Sequence, residues 1–291
     1  MRWWTGFLLT YITSVLASPT KRAISSNAQL DYLGGEVVTG PVNVYLIFYG
    51  SWDLANETHH VQDYMTFFNN IGSSNWFDTL KLYRSNSGNS VTGPLYLQPS
   101  VIDNFSAGKS LQGNSSHIAI IEQAINHGQI SQGNVDKNGL YFIIASDDVE
   151  DQSGFCTSWC SYNSWSEELL YAFIGNPNRC PQQCIPSLIR DKSPNNDPAL
   201  DSIVNMMAHE LQELLTDPWG DAYRIQSNNA TSAQGEEAGD MCAPPHVSSA
   251  DWFQFVHRDE QGAAYNFGLA GKNYLLQAVY NPMTKTCEMH A

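Results

Sequence analysis

His209, Glu210 and Glu213 fall within five residues, in the segment His209-Glu210-Leu211-Gln212-Glu213. The apolar run Ile203-Val204-Asn205-Met206-Met207-Ala208 before it reads as the start of a helix. On a helix, residues i and i+4 share a face, so His209 and Glu213 project side by side, one turn apart. Glu210 projects roughly 100° away. A metal-dependent hydrolase needs this layout: two ligands on one face and a carboxylate beside them to take a proton from water. The usual zinc motif, H-E-x-x-H, has an imidazole where this chain has Glu213. One imidazole and two carboxylates would cancel the charge of a divalent zinc, and the water would be less acidic than beside a more imidazole-rich ion. Oxygen-rich coordination also suits harder ions, so Zn2+ is the expected cofactor and another divalent ion the alternative. The competing reading of the same five residues is an ordinary His/Glu pair on a surface helix.

A helical pair needs a third ligand from farther along. Gly235-Glu236-Glu237-Ala238-Gly239-Asp240-Met241-Cys242 is a compact acidic segment beside a cysteine. A bridged Cys242 would hold its neighbours in place, as a ligand requires. Glu237 is the expected third ligand. Asp240 is the alternative, as ligand or as an outer partner for His209. His246 and His257 are weaker candidates for oxyanion stabilisation or proton donation, as are Tyr223 and Tyr265 for donation. His59, His60, His117, His127 and His290 have no motif context and read as surface residues. The chain has no G-x-S-x-G, P-loop or dinucleotide fingerprint.

The elements that must position these residues follow from hydrophobic patterning. Residues 42–50 and 140–145 are nearly continuous apolar runs, read as buried strands, and 169–175 offers another. Helices are predicted over 58–69 and over 117–127, the second stopped by Gly128. The acidic run after residue 145 reads as a solvated loop, with a calcium site as the lesser alternative. Asp201 or Ser202 is expected to cap the motif helix, and Pro218 cannot continue it. A last strand is predicted over 274–280, and residues 23–38 as an irregular lead-in. Strands interleaved with helices predict an α/β fold: a mixed central sheet with flanking helices and a zincin-like active-site helix, stapled by disulfides. No linker or repeat divides residues 23–291, which are read as one domain.

The amino-terminal stretch joins a basic residue, an apolar core and Val15-Leu16-Ala17, so residues 1–17 read as a secretory signal peptide. Lys21-Arg22 invites a second cut that would make residues 18–22 a short pro-segment. Losing Arg2, Lys21 and Arg22 takes the formal charge from −15 to −18. Such a field repels nucleic acid and favours solubility. No further segment is apolar enough to span a bilayer, and the carboxy terminus lacks the hydrophobic tail of a lipid-anchor signal. Sequons at Asn56, Asn104, Asn114 and Asn229 are expected to carry glycans. Six cysteines in an exported chain read as three disulfides. Cys156, Cys160, Cys180 and Cys184 are expected to staple one loop region, and Cys242 and Cys287 to tie the segment after the motif helix to the carboxy terminus.

Several segments then line up in order. They are Gly40-Pro41-Val42-Asn43-Val44-Tyr45-Leu46-Ile47-Phe48-Tyr49-Gly50-Ser51-Trp52, Ser153-Gly154-Phe155-Cys156-Thr157-Ser158-Trp159-Cys160, Phe173-Ile174-Gly175-Asn176 and Cys180-Pro181-Gln182-Gln183-Cys184. The motif helix with Thr216-Asp217-Pro218, the stretch from Glu237 to Cys242, Gly262-Ala263-Ala264-Tyr265-Asn266 and Cys287 complete the set. Together they resemble the EXORDIUM-like, or phosphate-induced protein, family of secreted plant proteins and their microbial relatives. The resemblance implies an extracellular, wall-associated protein, linked in plants to growth promotion and nutrient response. Plant members often carry a degraded helix motif, so the unbroken His209-Glu210-x-x-Glu213 is similar to a zincin-like microbial branch. The chain departs after Cys160, where many plant members place a histidine and this one has Ser161-Tyr162.

Two functions are therefore expected in turn. The first is a secreted zinc-dependent hydrolase, a peptidase or amidase acting on extracellular polypeptide, with Glu210 as general base. The alternative is a non-catalytic extracellular glycoprotein, cell-wall-associated or signalling, whose aromatic residues furnish a surface for a wall polymer.

Overall fold

Val42–Tyr49 is apolar or aromatic throughout except for Asn43, and it forms the first long strand, β1. The computed structural model of the chain describes residues 22–23, 29–52, 54–225, 236–248 and 252–290. The expected leader, Lys21 of the dibasic pair and the sequon at Asn229 lie outside the described residues. After β1 come α1 (Leu54–Ile71) and α2 (Asn75–Leu80). Two short strands, β2 (Leu95–Leu97) and β3 (Val101–Asp103), pair in parallel with the two ends of β1, Leu95 against Val42 and Val101 against Ile47. Then follow α3 (Asn114–Asn126), β4 (Gly139–Ala145), β5 (Ser161–Ser166), β6 (Leu169–Ile174) and α4 (Pro198–Thr216).

The sheet runs β2-β1-β4-β6-β5, with β3 also on β1. All pairings are parallel except the β5–β6 hairpin, so the expected mixed sheet is present with its antiparallel strand at one edge. Alternation along the strands sorts the core into two layers. Val44, Leu46 and Phe48 join Phe142 and Ile144 against the helical layer that contains Leu200, Val204 and Met207 of α4. Tyr45, Ile47 and Tyr49 join Tyr141 and Ile143 against Ile120, Ile121 and Ala124 of α3. Each fully buried side chain of this size contributes roughly 1.5–3 kcal/mol.

The motif helix begins earlier than its sequence suggests. Asp197 is the N-cap, accepting from the backbone N–H groups of Ala199 and Leu200, and Pro198 takes the first helical position. Asp201 and Ser202, expected as caps, lie one turn inside and are buried. Proline suits that position because its missing donor is one the helix leaves unpaired there. The helix ends at Thr216, before Pro218.

The predicted last strand is broken in two. Lys272–Tyr274 pairs with Phe267–Leu269, and β7 (Val279–Asn281) pairs with β8 (Thr286–Glu288) outside the central sheet. The cause is Gln277, whose N–H donates to Asn205 Oδ1 (2.8 Å) and whose carbonyl accepts from Trp76 Nε1 (2.9 Å). Its backbone is spoken for by side chains, so no ladder forms there. In the lead-in, Asp31–Tyr32 pairs with Tyr223–Arg224.

All six cysteines are bridged, as Cys156–Cys180, Cys160–Cys184 and Cys242–Cys287. The acidic run after β4 is a surface turn with Asp147 and Glu150 exposed, and several of its carboxylates are paired. Asp148 binds Lys109 and Ser146, Glu150 binds Arg179, and Asp151 is buried. Among the described residues no helix is long and apolar enough to cross a membrane.

Candidate metal centre

Helical spacing delivers the first two donor groups. His209 and Glu213 sit one turn apart on α4, with His209 Nε2 3.2 Å from Glu213 Oε1. Glu213 is buried and His209 half-buried. The third group is Asp240, in the turn Asp240–Cys242, with Oδ1 3.6 Å from His209 Nε2. The Cys242–Cys287 bridge anchors that turn to β8. One donor atom from each of His209, Glu213 and Asp240 lies within 4.8 Å of the others.

Gln277, which interrupts the last strand, orients the imidazole. Its Oε1 accepts from His209 Nδ1 (3.0 Å) and from Trp252 Nε1 (3.4 Å), while its Nε2 donates to the Gly239 carbonyl (2.9 Å). With Nδ1 committed as a donor, Nε2 is the nitrogen that faces Glu213 and Asp240. An outer partner on one ring nitrogen commonly fixes the other for a metal.

Glu237 lies one step away from this trio. Its Oε1 takes Arg224 (3.1 Å) and its Oε2 takes Asn163 Nδ2 (3.1 Å), which also donates to Glu213 Oε2 (2.6 Å). The Glu237 N–H donates to Asp240 Oδ2 (3.2 Å). Of the two carboxylates the sequence offered, Glu237 is drawn into an ion pair and Asp240 stands beside His209. Arg224 reaches Glu237 because Asp217, just past α4, holds its Nε at 3.0 Å.

Glu210 is buried, on the side of α4 toward β5. Burial pushes its carboxyl up to about 8, against the pull of His209 and with the push of Glu213; a Ser161 hydrogen bond opposes the rise. Burial likewise raises Glu213 and, with repulsion from Glu213, Glu237. Burial works against a charged His209, yet the Glu213 carboxylate overcomes it and carries the imidazole well above its ordinary value. The cleft thus gathers four carboxyl groups around Arg224 and His209, and burial disfavours the charged form of Glu210, Glu213 and Glu237. Among the described residues Glu210 Oε2 is buried without a hydrogen-bond donor, and Glu213 Oε1 meets His209 Nε2. Gly239 closes the site from the other side: a Cβ there would lie 2.8 Å from Glu213 Oε1 and 2.9 Å from His209 Nδ1. The donor set and the close glycine approach fit a divalent cation.

These groups line a cleft of about 740 Å³, walled on one side by residues 161–165 of β5. Behind the wall is a network that sequence reasoning missed. His117, expected at the surface, is fully buried on α3. Its Nε2 meets Asp151 Oδ2 (2.8 Å), its Nδ1 meets the Tyr162 hydroxyl (2.6 Å), and Phe173 stacks on the ring at 4.2 Å. Burial lowers the His117 pKa despite the Asp151 bond. The signal was available: residues 117, 120, 121, 124 and 125 form one helical stripe.

The other candidates lie elsewhere. His246 pairs with Glu236 (2.7 Å), and His257 is exposed beside Tyr265. Tyr223 packs on Tyr32 and donates to the Arg84 carbonyl. His60 pairs with Asp197, while His127 and His290 are exposed. Of the sequons, Asn56 falls in α1, Asn104 is exposed, and Asn114 is exposed at the cleft rim, accepting from the Tyr162 hydroxyl (2.9 Å).

The sequence profile of the phosphate-induced protein 1 conserved region matches residues 30–290. The chain belongs to this family. Among curated relatives, Protein EXORDIUM-like 3 of Arabidopsis thaliana is 28% identical over 295 residues, covering 93% of this chain and 86% of that protein. Protein PHOSPHATE-INDUCED 1 of Nicotiana tabacum is 27% identical, covering 90% and 88%. Protein EXORDIUM-like 1 of Arabidopsis thaliana is 27% identical, covering 97% and 96%. No solved structure matches the chain. The likeness thus spans α4 and the Asp240 turn as well as the sheet.

Proposed function

We propose that the chain is an extracellular, wall-associated or signalling member of its family whose cleft binds a divalent cation, zinc first, through His209, Glu213 and Asp240. The observation that carries this reading is the convergence of three donor groups within 4.8 Å. Gln277 on the back of the imidazole supports it. Family membership and three disulfides support the extracellular setting, where the partner would be a polypeptide or a wall component. The test is elemental analysis with zinc titration of the mature protein. One equivalent is expected, lost in His209→Ala and Asp240→Ala and kept in Glu237→Gln. A wild-type protein that takes up no zinc or other divalent ion, or equal uptake by all three variants, refutes the site.

A hydrolytic use of the same cleft rests on one further observation, the buried Glu210 carboxylate with a partnerless oxygen beside the donor trio. A bound divalent ion would supply Lewis acidity toward a substrate carbonyl. The chain's own part is then proton transfer: the Glu210 carboxylate accepts a proton from water. Arg224 and Asn163 hold Glu237 and Glu213 in place, and β5 with Trp165 walls the cleft. Glu210→Gln should keep the metal and abolish turnover of fluorogenic peptides. A wild-type protein loaded with zinc yet inert toward peptides leaves the non-catalytic binding reading in force.

A further inference from the structure

A second cleft, of about 620 Å³, shares no lining residue with the first. Its floor is the amino-terminal end of β1 and the loop entering β4. Asp136 Oδ2 accepts from Asn43 Nδ2 (2.7 Å) and from the Tyr45 hydroxyl (2.9 Å), and its Oδ1 accepts from the Asn138 N–H (2.9 Å). Asn43 Oδ1 in turn accepts from Gln98 Nε2 (2.9 Å). Tyr45 is stacked on Tyr141 at 4.9 Å, which fixes its ring. The network is therefore locked before any ligand arrives.

The rim differs from the floor. Gln129 and Gln132 are exposed, and among the described residues their side-chain amides have no protein partner. Ser131 and Gln132 adopt left-handed backbone, with φ of 47° and 54°, in a loop that presents these amides to the cleft. Such backbone in non-glycine residues persists where surrounding structure enforces it, often at binding sites. Tyr96 on β2 is paired in register with Asn43, so the two side chains leave the sheet on the same face, and Tyr96 is 51% exposed. An exposed aromatic ring thus shares a sheet face with Asn43 of the cleft floor. No lysine or arginine lines the cleft and Asp136 is its one carboxylate, which argues against an anionic ligand. Amides that donate and accept together, beside one flat ring, match adjacent hydroxyls on a ring with an apolar face.

We propose that this cleft binds a neutral saccharide, with Tyr96 stacking on a sugar face while Gln129, Gln132 and the Asp136 network take its hydroxyls. The site is independent of the metal centre. The experiment is calorimetric titration of the mature full chain with laminarihexaose, cellohexaose and chitohexaose. At least one should bind. Tyr96→Ala and Gln129→Ala, both at exposed positions, should each weaken it tenfold or more, and Tyr96→Phe should restore it. His209→Ala should bind as the wild type does. Absence of binding by all three at millimolar concentration overturns the proposal. So does binding that survives Tyr96→Ala and Gln129→Ala, or that disappears with His209→Ala while those two variants retain it.

Discussion

Asp201 gives the fold a pH dependence that can be worked from its surroundings. The carboxylate is 1% exposed, one turn inside the motif helix. Burial raises its pKa from 3.8 to about 6; hydrogen bonds from Asn195 oppose the rise and the charge of Asp197 adds to it. Asn195 Nδ2 and N–H lie 2.6 and 3.0 Å from its two oxygens. Because the folded value is the higher one, the folded chain holds a proton between pH 4 and pH 6 that the unfolded chain has released. Stability from this group is fully present below about pH 4 and is lost as pH rises through about 6. The loss amounts to about 3 kcal/mol, at 1.36 kcal/mol per pH unit between the two values. Asp201→Asn removes the titration. It also disturbs the Asn195 contact, but that cost does not vary with pH and cancels in the slope. Urea unfolding of both proteins from about pH 3.5 to about pH 7.5 is the assay. The free-energy difference, variant minus wild type, should move by about 3 kcal/mol in favour of the variant across that range. Parallel curves would refute the buried, proton-holding carboxyl.

The remaining predictions concern the cleft and its anchor. Gly239→Ala places a methyl against Glu213 and His209, so zinc affinity should fall at least tenfold with circular dichroism unchanged; equal affinity would show that the approach is slack. Gln277→Leu removes the acceptor on His209 Nδ1 and should cost about 10–100-fold in metal affinity, read by competition with a zinc chelator. Removing the Cys242–Cys287 bridge, which closes 45 residues, should lower unfolding free energy by about 4 kcal/mol and weaken zinc binding through the freed Asp240 turn.

The inner strands were legible because parallel strands buried on both faces must be apolar throughout, and β1, β4 and β6 are nearly so. β5 was not. Its sequence, Ser-Tyr-Asn-Ser-Trp-Ser, has no buried period because it sits at the sheet edge with its side chains serving the cleft and the His117 network. β2 and β3 are three residues each, too short for any pattern to emerge. In the candidate site, His209 and Glu213 follow from helix geometry alone, but the choice between Glu237 and Asp240 does not. It turns on Arg224, whose partner Asp217 comes close only once the chain has turned back after α4. Gln277 left one trace, a lone amide in Leu275-Leu276-Gln277-Ala278-Val279. That pattern marks a buried polar group with an obligation to meet.

The narrow passage at Gly239 makes the cleft easy to lose. An exchange to alanine there would set a methyl 2.8 Å from Glu213 Oε1 and 2.9 Å from His209 Nδ1, atoms of two of the three donor residues. If the cleft binds a cation as proposed, one codon is enough to obstruct it.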